Sequence, residues 1–300
     1  MPDTTQDPLI NLSEALAERA RLAGPRVVGI SADGHRVRSG TLWRTDVVVA
    51  SEQAFPKISE ANVRLVDGTS LLAQFAGRDP GTNIIAFRLD SAPELAPLSA
   101  AEAHPGSLAL AFGGDESGIS VRLGIVHSVG PEWHSRAGGR IDRRITLDIA
   151  LTRREDGGPV LDAGGGLLGI STLGPRGRVL VIPSATVEAV LEPLLSKGRV
   201  ERGWLGLALQ PVLVPEALQS QTGQSRGLMI MNISRDSPAA QANLQPGDIL
   251  LTIGGESVAS PMMVARRLGP EAVGQPVELR LIRAGGIVSV SATVGTRPTG

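Results

Sequence analysis

The order of hydrophobic and polar residues predicts two strand-rich parts separated by a helix. Between residues 27 and 181, short apolar runs alternate with Gly, Pro and Asp. Runs of this length between turn residues predict strands of a barrel or sandwich. The main runs are Val27–Ile30, Val47–Val49, Asn83–Phe87, Leu108–Phe112 and Leu167–Ile170. A second strand-rich part extends from Trp204 to about Val294.

A helix is predicted near the start of the chain. Asn11 followed by Glu14 has the pattern of a capping box, so we expect the helix to run from there to about Ala23. Leu9, Leu12, Leu16 and Ala20 lie on one helical face. We therefore expect the helix to dock on the body of the protein.

Two further helices follow from apolar spacing. Val187, Val190, Leu191 and Leu194 form one stripe, which predicts a helix over residues 184–195. We expect Ser184 to cap it and Lys197-Gly198 to stop it. Pro193 predicts an end or a kink near Glu192, because proline lacks a backbone donor. A short helix is predicted over residues 261–268. The resulting segments are an N-terminal helix at 1–26, a first domain at 27–198 and a second domain at 199–300.

Composition narrows the functional classes. The formal charge is −1 and aromatic residues make up 2%, with no Tyr. We therefore expect no nucleic-acid partner, since neither electrostatic attraction nor base stacking is provided. The absence of Cys excludes disulfides, thiolate metal sites and a cysteine nucleophile. No spacing of His, Asp and Glu suggests a metal site, and no cofactor is expected.

The compartment depends on the origin of Met1. No apolar run approaches the ~20 residues of a membrane helix, so no membrane span is expected. The first residues have neither a basic nor an apolar region of the signal-peptide type. We expect a cytoplasmic protein if Met1 is the native start, and a periplasmic one if a leader has been removed.

Two segments of the second domain carry distinctive motifs. Residues 237–258 read SPAAQANLQPGDILLTIGGESV, with a turn at Pro246–Asp248 and another at Gly254-Gly255, a pattern that resembles a bacterial PDZ domain. Residues 202–207, Arg-Gly-Trp-Leu-Gly-Leu, resemble the carboxylate-binding loop of HtrA-type PDZ domains. Gly206 permits a loop whose N–H groups converge on a terminal carboxylate, and the next strand offers its edge to an extended peptide.

The first domain contains, in order, the motifs Ala111–Gly113, Gly124–Val126, Asp148, Asp156–Val160, Gly169–Ser171 and Val181–Pro183. These motifs and their order resemble the protease domain of the HtrA/Deg family of trypsin-like serine proteases. The similarity extends from about residue 27 to 298. The resemblance implies a mostly β fold, a trypsin-like double β-barrel followed by a PDZ domain.

The positions that match the family's catalytic triad hold other residues. Arg154-Glu155-Asp156-Gly157-Gly158 stands where the family has Gly-Asn-Ser-Gly-Gly, so Asp156 occupies the nucleophile position. Gln53 occupies the position of the His base, and Asn83 that of the orienting Asp. Gln53 cannot shuttle a proton, and an ionised carboxylate is a weak nucleophile. We therefore expect a pseudoprotease that is not an enzyme.

Other residues offer no evident replacement chemistry. Ser171 and Thr152 flank the cleft in the resemblance, but neither has an evident base. Asp148 is better read as a turn carboxylate, and a weak cation site of Glu52, Glu155 and Asp156 is disfavoured because neighbouring carboxylates are usually solvated. The histidines are expected to be ordinary surface or core residues; they are His35, His104, His127 and His134. One sharper hypothesis is that Arg154 and Asp156 plug the old cleft.

The leading hypothesis is a peptide-binding protein. We expect a groove between the strand of Leu205–Leu207 and the helix over 261–268, for a C-terminal or extended peptide with a hydrophobic terminal side chain. The predicted lining residues are Trp204, Leu205, Gly206, Leu207, Met263, Val264 and Leu268; plain hydrophobic core is the other interpretation of these positions.

Two alternatives remain open at this stage. One is a residual or unusual hydrolase of the serine-endopeptidase type. The other is a structural subunit that forms homo- or hetero-oligomers with HtrA-like chains. The family commonly assembles as trimers through N-terminal segments that often use aromatic residues, which residues 9–28 lack.

Overall fold

Two closed six-stranded barrels form most of the first unit of the chain. The computed structural model describes residues 7–32, 36–55, 58–90, 95, 99–115, 118–135 and 137–296. It divides the chain into two compact units, residues 1–199 and 200–300. The expectation of a mostly β fold with a double barrel in the first part of the chain is confirmed.

The first barrel closes in the order β1-β2-β3-β6-β5-β4, entirely through antiparallel pairs. Its strands are β1 (Val27–Ser31), β2 (Arg38–Arg44), β3 (Val47–Ser51), β4 (Glu60–Arg64), β5 (Ser70–Asp79) and β6 (Ile84–Leu89). Every residue of β3 is buried, whereas β4 alternates between exposed and buried positions. Val28, Leu42, Val48 and Phe87 belong to the barrel core, as the apolar runs predict.

The second barrel closes in the order β11-β14-β13-β12-β7-β8. Its strands, with a small hairpin of β9 and β10, are β7 (Leu108–Asp115), β8 (Gly118–Gly130), β9 (Trp133–His134), β10 (Arg140–Ile141), β11 (Arg144–Leu147), β12 (Pro159–Asp162), β13 (Leu167–Leu173) and β14 (Val179–Pro183). Inward residues such as Ala111, Val160 and Val181 form its core.

Helix α1 (Pro8–Ala23) begins before the predicted capping box. Asp7, not Asn11, is the cap: its Oδ1 accepts a hydrogen bond from the N–H of Leu9 at 2.9 Å, and Pro8 occupies the first helical position. The expectation of a docked face is wrong for the first half, because Leu9 is 75% and Leu12 44% exposed.

Helix α2 (Ser184–Lys197) passes through Pro193 without ending. Its buried stripe is the predicted one, and Gly198 in the left-handed region stops it. The Ser184 side chain makes no capping hydrogen bond, so that prediction is wrong. The predicted end near Glu192 is also wrong. The helix packs on β5, β6, β13 and β14, and this tertiary packing outweighs the one backbone bond that proline lacks.

The second unit is a sheet in the order β16-β17-β18-β20-β21, with β16 at one edge. Its strands are β15 (Gly203–Trp204), β16 (Leu207–Leu213), β17 (Arg226–Ile233), β18 (Ile249–Ile253), β19 (Glu256–Ser257), β20 (Pro276–Arg283), β21 (Gly286–Thr293) and β22 (Gly295–Thr296). Its helices are α3 (Glu216–Thr222), α4 (Pro238–Gln241) and α5 (Pro261–Arg267). Thus α5 lies where the sequence predicts it.

The turn at Pro246–Asp248 is held by an ion pair between the buried Asp248 carboxylate and the partly exposed Arg283. Asp248 accepts hydrogen bonds from Nε and Nη2 of Arg283, at 2.9 and 2.6 Å, and from the N–H of Gln245 at 2.9 Å. Gly247 supplies a positive φ of 93°. Across the described residues, none of the helices is long and apolar enough to cross a membrane.

The contact of β12 with β7 is a sensitive point of the second barrel. A side chain at Gly158 would overlap the carbonyl oxygen of Phe112, whereas one at Gly130 would lie 3.4 Å from the Cβ of Arg144. We predict that Gly158→Ala lowers the free energy of unfolding by about 1–3 kcal/mol, and that Gly130→Ala changes it by less than about 0.5 kcal/mol. Urea unfolding of the full chain measures both; equal effects would contradict the argument.

Candidate functional site

Gln53 lies in a short 3₁₀ turn, Glu52–Ala54, directly after strand β3. Gln53 is exposed as a whole residue, but its side-chain amide makes hydrogen bonds. The Nε2 atom donates to Oδ2 of Asp156, Oγ1 of Thr172 and the carbonyl of Leu173, each at 3.0 Å. Because an amide has two hydrogens, these three acceptors share them. Gln53 therefore covers the Asp156 carboxyl.

Asn83 precedes β6 and holds the same corner from the other side. Its backbone has a positive φ of 60°, a conformation that asparagine tolerates better than most residues. Its Oδ1 accepts from the N–H of Gln53 at 2.8 Å. Its Nδ2 donates to Oγ of Ser51 at 3.0 Å and to Oγ1 of Thr172 at 2.8 Å.

Asp156 lies in the turn before β12 and is only 4% exposed. Its Oδ2 accepts from Gln53, whereas its buried Oδ1 has no hydrogen-bond partner within the described part of the chain. Burial raises the pKa of this carboxyl, although hydrogen bonds from Gln53, Ser51 and Thr172 oppose the increase. The neutral acid is therefore favoured over a wider pH range than in water.

Thr172 joins the three positions, and sequence reasoning missed it. Its Oγ1 accepts from both Gln53 and Asn83 and lies 3.2 Å from Oγ of Ser51. Either of the two hydroxyls can be the donor in the contact between Thr172 and Ser51. The structure thus brings Gln53, Asn83 and Asp156 into one network. The only sequence signal was a pair of hydroxyl residues at buried positions of β3 and β13.

The carboxylates beside Asp156 are neutralised by arginines. Glu155 is buried, and its oxygens accept from Nε and Nη2 of Arg122 at 2.8 and 3.3 Å and from the N–H of Thr152 at 2.7 Å. Burial raises the pKa of Glu155, but the hydrogen bonds from Arg122 and Thr152 outweigh it and lower the pKa overall. Glu52 pairs with Arg78 at 3.1 Å. Searching the described residues finds no cluster of metal-ligating side chains.

The plug hypothesis is wrong for Arg154, and for Asp156 it stays a prediction. Asp156 is buried between Gln53 and Thr172, but Arg154 is exposed. The carbonyl of Arg154 is fixed instead, accepting from the N–H and Oγ of Ser39 at 2.8 and 2.7 Å. The backbone of the turn is thereby held without the arginine side chain.

The remaining candidates lie apart from this network. Ser171 donates to the carbonyl of Glu155 at 3.1 Å, so it supports the turn. Asp148, His104 and His127 are exposed, and His134 is half-buried in β9. His35 lies outside the described residues.

The second unit presents an open strand edge after Gly206. The carbonyl of Gly206 accepts from the N–H of Ser234 at 2.8 Å, so the neighbouring pair Leu207–Ile233 is a non-hydrogen-bonded pair of the β16–β17 ladder. The N–H and C=O of Leu207 therefore point away from β17, toward the free edge. Leu209 has the same orientation, because its partner Ile230 bonds to the β18 side.

Gly206 cannot be replaced without loss of this loop geometry. Its φ is 81°, and an added side chain would overlap Ser237, lying 2.7 Å from its Oγ. Two residues after Leu209 on the same edge, Pro211 has no backbone N–H that could donate a hydrogen bond.

The predicted groove residues divide into two groups. Leu205, Val264 and Leu268 are buried and belong to the core of the unit. Trp204, Leu207 and Met263 keep part of their surface exposed. Met263 Sδ accepts from the N–H of Ala259 at 3.4 Å, which places it against the segment that precedes α5. Helix α5 packs against β16, so a strand and a helix flank the open edge.

Comparison with known proteins gives matches in both units. The family described as "Trypsin-like peptidase domain" matches residues 38–170, and "PDZ domain" matches residues 209–294. A "Probable periplasmic serine endoprotease DegP-like" of Brucella suis biovar 1 (strain 1330) is 31% identical over 248 residues, covering 79% of this chain and 48% of the relative. A protein of the same name from Halomonas elongata is 28% identical, covering 91% and 59%. The chain thus spans about half the length of these relatives.

Solved structures agree with this fold. "HtrA-type protease AlgW with tripeptide" has a TM-score of 0.73 and 26% identity, covering 95% of this chain and 98% of that one. "HtrA-type protease AlgW with decapeptide" has a TM-score of 0.75 at 23% identity, covering 95% and 99%, which shows the fold alone.

These comparisons correct one expectation. The residues at the triad positions led to a prediction that the chain is not an enzyme. That prediction is contradicted, because the relatives are named serine endoproteases and the structural neighbours HtrA-type proteases. The cytoplasmic alternative is likewise unsupported, because the relatives are named periplasmic.

Two adjacent carboxyls should give opposite pH dependences of stability. The pKa of Asp156 is raised on folding, so its contribution to the free energy of unfolding falls as pH rises from its ordinary pKa to the raised one. The pKa of Glu155 is lowered, so its contribution is present above its ordinary pKa and is lost as pH falls through the lowered one.

We predict that Asp156→Asn removes the first dependence and makes the protein relatively more stable near neutral pH. Glu155→Gln is the matched control. It should lower the free energy of unfolding near neutral pH, and this loss should become smaller at acid pH. Urea unfolding between about pH 3 and pH 8 measures both. An Asp156→Asn profile parallel to that of the wild type would contradict the first prediction.

Proposed function

Because the chain belongs to the HtrA/Deg-type family of trypsin-like serine proteases with a PDZ domain, we propose that it binds polypeptides at the edge of β16. The ligand is a C-terminal or extended peptide. Its backbone adds a strand beside β16, and its terminal carboxylate lies against the loop of Gly206.

The observation that carries this proposal is the orientation of the backbone after Gly206. The outward N–H and C=O of Leu207, and those of Leu209, are the groups that an added antiparallel strand pairs with. The positive φ of Gly206 turns the chain sharply just before them. A terminal carboxylate placed there receives backbone N–H donors without needing a basic side chain.

The surrounding side chains favour an apolar terminal residue. Leu205, Val264 and Leu268 are core residues that lie next to this edge, with Leu207 packed against the same core. A hydrophobic ligand side chain inserted there leaves water, which favours binding by about 1.5–3 kcal/mol for a fully buried Leu, Val or Phe. The titles of the AlgW structures name a tripeptide and a decapeptide as bound molecules, which supports a peptide ligand here.

Endopeptidase action is a second candidate, favoured by the names of the relatives. Gln53 and Asn83 do not supply the base that a serine-type mechanism uses. Hydrolysis at this cleft therefore requires a different route, in which the Asp156 carboxylate accepts a proton from an attacking water. Gln53 must turn away for that water to approach Oδ2, and its exposed position permits this.

Location and assembly are part of the same proposal. The relatives are named periplasmic, which supports the proposal that this protein also acts in the periplasm. We also propose that the chain assembles with itself or with other HtrA-like chains. Its molecular mass in solution, measured at several protein concentrations, tests this.

Peptide binding is tested with fluorescein-labelled decapeptides that differ in their last three residues. We predict that full-length protein prefers peptides with a hydrophobic last residue and a free carboxylate. Gly206→Ala should weaken binding at least about tenfold, because the added methyl overlaps Ser237 and disfavours the positive φ.

Two controls separate the groove from general instability. Gly223→Ala imposes a similar backbone strain at φ 72°, where an added methyl has open space, and should bind normally. A C-terminal amide on the best peptide should weaken binding without any change to the protein. Equal binding of acid and amide, or no preference among the peptides, would rule out the proposed mode.

Endopeptidase action is tested with unfolded casein. The second candidate predicts slow cleavage that Asp156→Ala reduces about 10²-fold or more, the usual range for a lost general base. Gln53→Ala should increase the rate by uncovering Oδ2. The rate should rise with pH through the raised pKa of Asp156, because only the ionised carboxyl accepts a proton. Cleavage by the wild type no faster than by Asp156→Ala would exclude this candidate and leave peptide binding untouched.

A further inference from the structure

The methionine sulfur atoms of this protein are concentrated in the second unit. The sequence has no cysteine and five methionines. Met1 lies outside the described residues, and the other four are in the second unit. Met229 packs against an apolar cluster, whereas Met231, Met262 and Met263 are 52%, 44% and 39% exposed. Exposed thioethers are the ones that oxidants reach.

The two methionines of α5 lie on different flanks of that helix. Val264 and Leu268 turn toward the core, and successive residues are rotated by about 100°. Met263 contacts Ala259 through its sulfur, and Arg267 pairs with Glu256 of β19. That flank therefore faces the segment before the helix. Met262 and Ala265 occupy the opposite flank.

We propose that Met262 borders the peptide groove and that its oxidation to the sulfoxide weakens peptide binding. This inference rests on the proposed function. Helix α5 packs against β16, and the flank of Met262 is the one not taken up by residues 256–260. An unbranched thioether at such a position adapts to different apolar ligand side chains.

The chemistry needs a two-electron oxidant such as hydrogen peroxide. The thioether sulfur gives up an electron pair and takes one oxygen atom from the peroxide, which leaves as water. The product is a polar sulfoxide with a strong acceptor oxygen. Covering that oxygen with an apolar peptide side chain removes it from water without giving it a donor, so the bound state is disfavoured. Enzymatic reduction of the sulfoxide restores the thioether.

The test measures affinity before and after peroxide treatment of the full chain, using the decapeptide that binds untreated protein best. We expect the Kd to rise about tenfold, which corresponds to about 1.4 kcal/mol. Mass spectrometry of tryptic peptides reports which methionines are oxidised. Methionine sulfoxide reductase should return the Kd to its starting value.

Matched variants assign the effect to one residue. Met262→Leu keeps an apolar side chain, and the Kd of this variant should be the same before and after peroxide. Met231→Leu removes a sulfur of similar exposure on β17 and should remain as sensitive to peroxide as the wild type. Met262→Gln places a permanent amide at the same site and should weaken binding without any oxidant.

The outcomes are separable. Loss of affinity that persists in Met262→Leu, or full oxidation of Met262 with unchanged affinity, overturns this inference while peptide binding stands. If untreated protein binds none of the decapeptides, the proposed function fails first and this inference fails with it.

Discussion

The close approach of two glycines to neighbouring strands is the constraint on which the site in the first unit depends. A side chain at Gly157 would lie 2.7 Å from the carbonyl oxygen of Ser39 and 2.8 Å from the N–H nitrogen of Ser51. One at Gly158 would overlap the carbonyl of Phe112. Only residues without a Cβ let the turn before β12 sit this close to strands of both barrels. This contact is what carries Asp156 under Gln53.

Electrostatics at the turn follows from that placement. Two consecutive carboxyls are buried together, and the protein treats them differently. Glu155 receives a guanidinium and a backbone N–H, so it stays charged. Asp156 receives only neutral donors on one oxygen and none on the other, so burial dominates. The pKa values of these adjacent residues of the same chemical class thus move in opposite directions, because Glu155 reaches Arg122 and Asp156 does not.

The fold was largely predictable from the sequence, since apolar runs and turn residues are local signals. The closing strands, the stripe of α2 and the position of α5 all follow from them. The start of α1 was not correctly predicted, because Asp7 and Asn11 are both good helix caps. Pro8 at the first helical position favours Asp7 as the cap. The exposure of Leu9 depends on what the fold places nearby, which periodicity does not contain.

The candidate site of the first unit was also only partly predictable from the sequence. The sequence motifs pointed to Gln53, Asn83 and Asp156, and the structure brings these three residues together. Their link through Thr172 could not be read, because that threonine is 89 residues from Asn83 and 119 from Gln53. Activity is a separate matter: the substituted triad suggested a protein without enzymatic function, and the names of its relatives point the other way.

Pro211 limits what can grow on the open edge of β16. It is paired with Leu228 so that its nitrogen faces outward, at the place where a third edge donor after Leu207 and Leu209 would stand. An added strand can therefore accept hydrogen bonds from the N–H groups of Leu207 and Leu209, but not from Pro211. A short peptide end is satisfied by two, whereas continuous sheet extension from one molecule to the next needs an unbroken row. The edge of β16 can thus bind a short peptide and still resist the self-association of the protein into fibrils at high concentration.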